Sequence, residues 1–460
     1  MKLLVKPLPL VAALLLAGCN LAPTFTPPEQ PLPAQFEHGA QALHGVDASW
    51  WQAFGSTELT RFVERAGAGN LDLASAISRV RQADIQARVA GAPLLPSVSG
   101  NLVGNRNFAA DNSGGGVRNA YSAGLSISYE LDVWGKNRNN LSASEQNALA
   151  TAYERDTVAL TVAAATASSY LKVLELRERE RIAVDNLANA EQVLKVAEAK
   201  TRLGASSELE LLQQQTLVEQ RRAAIPGLRQ QRQTAENALA ILLGTVPQGF
   251  AAQIKADSLN GLLLSQEQVG LLPSELLLRR PDIQAEEARL RAANADIGAA
   301  RAALFPSLSL SGSSGYSADV FSNLFNSGNL ASSLGASLLQ PIFRGGALKG
   351  ALELSQERYV ELADGYRKTV IVALQEVEDA LITLREGQQQ YDSQRQVLAY
   401  AQKAFELAQL QYSQGSADIL TVLSAQQSFF SARDSLLQNQ SSQLQNQVQL
   451  YKVLGGGYGA

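Results

Sequence analysis

The chain has 460 residues, 46% of them hydrophobic, and a formal net charge of −4 from 39 basic and 43 acidic side chains scattered along its length. The length suits two or three domains, and with no basic run a nucleic-acid partner is not expected. One cysteine, one methionine and two histidines, His38 and His44, both near the N-terminus, exclude a disulfide framework, a His/Cys metal site, and a Ser-His-Asp or Cys-His catalytic set in the body of the chain. No enzyme activity and no cofactor are expected.

Residues 1–18 read as a signal peptide: Lys2 and Lys6 supply the positive start, and Leu8–Ala17 is an apolar run of about ten residues, too short for a membrane span of about 20. It ends in Leu16-Ala17-Gly18-Cys19, which resembles the bacterial lipobox, so Cys19 is expected to carry a covalent lipid. Stable anchoring takes more than one acyl chain, and the modification this resemblance implies supplies three. Asn20, rather than Asp, follows the cysteine and favours the outer membrane in that class of lipoprotein. Residues 19–56 then form a tether. No apolar run of about 20 residues is read beyond it, so no helix is expected to span a bilayer.

The remainder is written twice. Arg79-Val80-Arg81-Gln82-Ala83 matches Arg289-Leu290-Arg291-Ala292-Ala293, and Leu94-Leu95-Pro96-Ser97 matches Leu304-Phe305-Pro306-Ser307, each 210 positions on. Gly204 matches Gly415, and Leu239–Gly244 matches Leu450–Gly455, 211 positions on. Such self-similarity signals a duplicated structure. The repeats are placed at 57–244 and 274–455, joined by a linker at 245–273 and followed by a tail at 456–460. Each opens with a helix, Thr57–Ala90 and Ser274–Ala303, stopped by Pro96 and Pro306. Alternating segments follow. Tyr121, Ala123, Leu125, Ile127, Tyr129 and Leu131 share one face of a strand; Ser122, Gly124, Ser126, Ser128, Glu130 and Asp132 share the other. Weaker alternation in Ser97–Asn105 and Ser307–Ser313, and again from Leu330 to Leu339, completes four strands in two hairpins. Asn107–Asn119 and Ala318–Asn329 are expected as their loops. Lys136–Leu203 then contains no Gly or Pro and would be a helix about 100 Å long. Gly204 and Gly415 break the long helices, and Pro226-Gly227 is expected to kink one of them. The acid-base run Glu175–Arg181 reads as a solvated face.

Strands of about ten residues with one apolar and one polar face are long enough to cross a bilayer. Trp134, just past the second strand, stands where aromatic belts lie. Four strands cannot close a membrane barrel, and open edges cannot be left in lipid. Strands must therefore be pooled between chains; two copies give about eight and three about twelve, the latter with room for a water-filled lumen.

Trp50-Trp51-Gln52-Ala53-Phe54, Leu131-Asp132-Val133-Trp134-Gly135-Lys136, Leu278-Arg279-Arg280-Pro281-Asp282-Ile283, and Tyr412–Gly415 followed by Val422-Leu423 together resemble the TolC-like outer-membrane efflux factor family, in its lipoprotein branch. The resemblance covers essentially the whole mature chain. It implies an α+β membrane protein, internally duplicated: four strands per chain in a shared transmembrane barrel, long antiparallel helices in a periplasmic tunnel, and a homotrimer. It implies docking onto a periplasmic adaptor and an inner-membrane transporter, with the chain as passive exit duct for drugs or other small molecules. Adaptor contacts are expected at the helix tips, Arg202-Leu203-Gly204 and Gln414-Gly415-Ser416. For a gate that closes the periplasmic end, the resemblance points to Tyr412 and Glu210 as a hydrogen-bonded latch, with Asp418 a weaker candidate. Relatives often carry an acid where this chain has Thr421 or Ser424, so an acidic ring at those positions is in doubt. A structural coiled-coil lipoprotein spacing the envelope, or a type I protein secretion duct, are the alternatives.

Overall fold

The computed structural model describes residues 20–38, 47–109, 116–262 and 273–456. The helices are α1 (Thr57–Gly69), α2 (Leu71–Gly91), α3 (Lys136–Arg202), α4 (Glu208–Leu242), α5 (Pro273–Arg279), α6 (Pro281–Ala302), α7 (Ala347–Ser413) and α8 (Ile419–Val453). The strands are β1 (Ser97–Ala109), β2 (Gly116–Leu131), β3 (Ser307–Ala318) and β4 (Leu330–Leu339). The duplication is exact in helix length: α3 and α7 have 67 residues each, and α4 and α8 have 35 each.

Each repeat's opening helix, expected as one, is two. Asn70 divides the first: its backbone is extended, and its side-chain oxygen accepts the amides of Asp72 and Leu73 at 3.0 Å each. It thus caps the start of α2 where α1 stops. Pro281 divides the second, because it has no amide to donate and disfavours helical backbone at Arg280. Pro226, by contrast, lies inside α4, which stays helical to Leu242. The strands also run further than expected. Asn107 pairs with Arg118 and Arg106 with Asn119, so both ends of the supposed first hairpin loop belong to the ladder.

Two compact units cut across the repeats, each drawing segments from both. The first comprises 1–30, 78–152 and 285–368 and holds all four strands. Their order is β1-β2-β3-β4, antiparallel throughout. The second comprises 31–77, 153–284 and 369–460. Its core gathers Trp50, Phe54, Phe62, Tyr170, Phe250 and Tyr451, with Trp50 stacked on Tyr451 at 5.4 Å.

The Arg-Arg-Pro-Asp segment works within that second unit. Buried Arg280 bonds Asp282 at 2.7 Å, Glu376 at 2.7 Å and the Val453 carbonyl at 3.2 Å. It therefore ties the start of α6 to α7 and to the last turn of α8, where a cation offsets the partial negative charge of the helix end. The Glu175–Arg181 run is not a solvated face. Glu175 and Glu178 are buried, and the run pairs across helices: Arg177 with Glu236 at 3.0 Å, Arg179 with Asp434 at 2.8 Å, Glu180 with Arg232 at 2.7 Å. Within α3 one 18-residue window reaches a mean hydropathy of 1.3, apolar enough by composition to cross a membrane, which the sequence reading overlooked. Half of that window is buried inside the protein.

Candidate functional site

The sheet in the first unit and the helix tips in the second carry the features on which function turns. Residues directly opposite in antiparallel strands share a face. One row across all four strands is therefore Ser99, Ser126, Ser313 and Ser333. Ser99 and Ser126 bond through their hydroxyls at 2.8 Å, as do Ser313 and Ser333. The next row is Ser97, Ser128, Ser311 and Gly335. On the other face lie Val98, Ile127 and Leu334 in one row, and Leu102, Ala123, Tyr316 and Leu330 in another. Leu334 is 95% exposed, and Val98, Leu102, Leu125 and Ile127 are exposed as well. Among the described residues β1 has a neighbour on one side only, and so has β4. Such a sheet has a largely uncovered oily face and two unsatisfied edges, which is stable in lipid only when further strands complete it.

At the end of the sheet where β2 enters α3, Trp134 stacks on Phe305 at 4.9 Å and donates its indole N–H to the Pro306 carbonyl at 2.8 Å. Its ring is therefore a joint between β2 and β3. Asp132 accepts the amides of Asn137 and Arg138, capping α3, and Lys136 pairs with Glu130 at 2.6 Å. Near the opposite end, Tyr121 meets Phe321 and Tyr316 meets Phe325, each at 5.5 Å, so the β3–β4 connection folds back on the apolar face.

Cys19 lies outside the described residues. The chain just after it docks on α6: Asn294 donates to the Pro23 carbonyl at 2.8 Å, and the Arg291 guanidinium lies 4.8 Å from the Phe25 ring. Gly298 makes this approach possible, since a side chain there would meet Ala22 at 2.7 Å. His38, in the second unit, bonds Glu378 at 3.0 Å, and His44 is outside the described residues. Among the described residues no group of His, Cys, Asp or Glu is arranged to hold a metal.

The two tips are built alike. α3 ends with the Ala205 amide on the Lys200 carbonyl and the Gly204 amide on the Thr201 carbonyl; α7 ends with Ser416 on Gln411 and Gly415 on Tyr412. This double closure needs a left-handed residue, and φ is +72° at Gly204 and +78° at Gly415. Ser207 caps α4 by accepting the Glu210 amide, and Asp418 caps α8 by accepting the Thr421 amide at 2.8 Å. Arg202, Leu203, Gly204, Gln414, Gly415 and Ser416 are all exposed.

The latch residues sit differently from the expectation. Tyr412 is 4% exposed, packed with Val193, Phe405, Ala408, Ile419 and Val422. Its hydroxyl makes no hydrogen bond among the described residues. The Glu210 carboxylate accepts the Ser206 hydroxyl, and no Tyr412–Glu210 bond forms within the single chain's described residues. The two groups still sense each other: burial pushes the Tyr412 phenol above its usual range, and the Glu210 charge pushes it the same way. Asp418 is committed to its cap and also accepts the Thr421 hydroxyl at 2.6 Å; those two bonds hold its carboxyl below the usual range. Ser424 is exposed, its carbonyl taken by the Ser428 hydroxyl. The residue that sequence reasoning missed is Lys200. Its ammonium lies 3.7 Å from the Tyr412 ring centroid and 2.5 Å from the Tyr412 carbonyl, joining the two tips. A lysine in the last turn of a helix was the available signal, because cations favour that position.

An incomplete sheet with one oily face, rooted in very long helices, defines a subunit of an outer-membrane channel. The sequence profile of the outer membrane efflux protein family matches residues 62–245 and 272–456, and the chain belongs to that family. It is 40% identical over 460 residues to the pyoverdine export outer membrane protein OpmQ of Pseudomonas aeruginosa, covering 97% of this chain and 96% of that one. It is 33% identical over 464 residues to the cation efflux system protein CusC of Escherichia coli, covering 98% and 99%. Among solved structures, the outer-membrane channel OprN superposes with a TM-score of 0.90 at 26% identity, covering 96% of this chain and all of that one. CusC superposes with a TM-score of 0.85 at 31% identity, covering 95% of this chain and all of that one. The protein is thus an outer-membrane efflux channel, and each chain gives four strands to a shared barrel and its long helices to a periplasmic tunnel.

Proposed function

We propose that three copies close one barrel and form the exit duct of a tripartite pump, each held to the membrane by lipid on Cys19. The carrying observation is the four-stranded sheet, open at both edges, with serine rows on one face and exposed aliphatics on the other. Three copies would give about twelve strands, enough for a water-filled lumen lined by the serine face. The exposed tips, Arg202-Leu203-Gly204 and Gln414-Gly415-Ser416, take a periplasmic adaptor, and an inner-membrane transporter behind it supplies the energy. Tyr412, Glu210 and Ser206 belong to the resting closure, with Lys200 holding the tips level. Asp418, Thr421 and Ser424 play a lesser part, because Asp418 and Thr421 are spent on the α8 cap.

Relatives named for pyoverdine, cations, antibiotics and toluene share this architecture, which supports small diffusible cargo chosen by the transporter rather than by the duct. The test is native mass spectrometry of detergent-extracted protein, followed by planar-bilayer recording. Three chains per particle, each lacking residues 1–18 and carrying acyl mass at Cys19, with stepwise conductance, are expected. Single chains that never conduct, or an unmodified Cys19 thiol, would overturn the corresponding part of the proposal.

A further inference from the structure

Successive side chains of a strand alternate between its faces, so the oily face of β1 carries Val98, Gly100, Leu102, Gly104, Arg106 and Phe108. Among the described residues of the four strands, Arg106 is the one charged side chain on that face; the rest are aliphatic, aromatic, Gly, Ser or Asn. It has no carboxylate partner among the described residues, and its guanidinium lies 5.5 Å from the Phe108 ring centroid. At the foot of the sheet the basic residues are placed differently: Lys136 is spent on Glu130 and Arg138 on Asp132.

A charge on the lipid face is costly at mid-membrane and cheap at either boundary. Arg106 stands nine positions along β1 from Ser97. That length of strand, tilted as in a barrel, climbs about 23 Å, against an apolar band about 25 Å tall. The long helices leave from the foot towards the periplasm, so Arg106 stands at the outer boundary of the band. Aromatic rings surround it. Gly104 has no side chain, and the Tyr121 ring lies 3.3 Å from where one would begin. Another side of that ring meets Phe321 at 5.5 Å. Phe108 is 74% exposed, and half-buried Asn119 pairs directly across from Arg106.

We infer that Arg106, with Phe108, Asn119 and Tyr121 around it, binds a phosphate of the phosphorylated, polyacylated glycolipid that forms the outer leaflet of such a membrane. The inference rests on the reading that the serine face lines the lumen and the oily face meets lipid. The guanidinium takes two phosphate oxygens in a fork, and stacking on Phe108 holds its plane. Asn119 offers an amide to the sugar oxygens beside that phosphate. The Tyr121–Phe321 pair takes the first methylenes of an acyl chain. A zwitterionic phospholipid brings its own cation next to its phosphate and is the poorer ligand. Arg118 supplies the contrast. It neighbours Asn119 in sequence and pairs with Asn107, so it carries the same charge at the same level of the ladder but on the serine face.

The test measures the temperature at which the oligomer, extracted from outer membranes and delipidated in detergent, dissociates as diphosphorylated lipid A is added. A rise is expected. Arg106→Ala should raise the lipid A concentration that gives half of it by roughly fivefold or more, the loss of a charge-assisted pair. Arg106→Lys should recover part of the response, and Arg106→Gln repeats the measurement should the alanine variant assemble poorly. Lipid A stripped of both phosphates should act on the parent channel as weakly as intact lipid A acts on Arg106→Ala. Equal stabilisation by the stripped lipid, by phosphatidylglycerol or by inorganic phosphate would overturn the assignment to a glycolipid phosphate. Arg118→Ala should keep the full lipid A response and shift the reversal potential of the pore in a salt gradient towards cations. An unchanged lipid A response in Arg106→Ala, with that shift in Arg118→Ala, sinks the inference alone. The reverse pattern, with Arg118→Ala losing the lipid response and Arg106→Ala shifting the potential, means the faces are exchanged and sinks the lumen reading as well.

Discussion

Tyr412 and Leu203 show how much a single position can hold. The Tyr412 hydroxyl is buried, yet bonds nothing among the described residues. Removing such a group relieves a desolvation cost rather than breaking a bond. Tyr412→Phe should therefore leave the chain as stable as before, or more stable by about 1 kcal/mol. If a neighbouring copy supplies the missing partner, the same variant raises resting single-channel conductance; unchanged conductance would leave Tyr412 as packing only. Leu203 is the opposite case, 80% exposed at the end of α3 with almost no packing to lose. Leu203→Asp should not move the melting temperature of the purified channel but should sensitise cells to the pump's substrates. Full resistance in that variant would place the adaptor elsewhere. Gly204 is a poorer probe: there is open space around it, but its φ of +72° strains any ordinary side chain, so loss of function there would confuse backbone strain with lost contact.

At the scale of elements, the strand β2 was legible because its period of two separates Ile127 from Ser126 and holds from Tyr121 to Leu131. The same contrast supplies a sharp experiment on adjacent residues. Ser126→Asp should insert and assemble, and should make the pore favour cations, measured as a shifted reversal potential in a salt gradient. Ile127→Asp should reduce assembled protein in the outer membrane, since a carboxylate on the lipid face costs on the order of 1–3 kcal/mol in each chain. Equal assembly of both variants would mean the faces are assigned backwards. The helix α3 was legible from the absence of Gly and Pro between Lys136 and Leu203, and the ends of α3 and α7 from Gly204 and Gly415. The break at Asn70 was not, because an asparagine capping the next helix looks the same in sequence as one on a helix surface. Nor were the partners of Glu175–Arg181 legible: Glu236 and Asp434 lie far along the chain, and a pattern confined to one helix cannot reveal charges brought in by another. Ser206 and Lys200 escaped for a related reason. Lys200 reaches from one repeat to Tyr412 in the other, and Ser206 bonds Glu210 only through the turn that the folded tip sets.

For the whole molecule, the equal helix lengths act as a gauge that the two repeats hold in common. α3 and α7 each run 67 residues, α4 and α8 each run 35, and Lys200 meets Tyr412 where the paired arms turn. A change of reach in one repeat alone would break that meeting. Deleting seven residues from each arm of the first tip shortens it by about 10 Å while nearly preserving which side of each helix faces inward. The Lys200–Tyr412 contact would then be out of range, and the channel should lose resting closure, read as continuous leak in bilayers. The same deletion made in both repeats should restore closure in a shorter duct, one that fails with its own adaptor unless the adaptor is lengthened to match. If the one-sided deletion stays closed, the two tips are independent and their common length is an accident of duplication. Otherwise, the distance the duct spans is a quantity that evolution can alter only in matched pairs of insertions or deletions, even where the intervening sequence drifts freely.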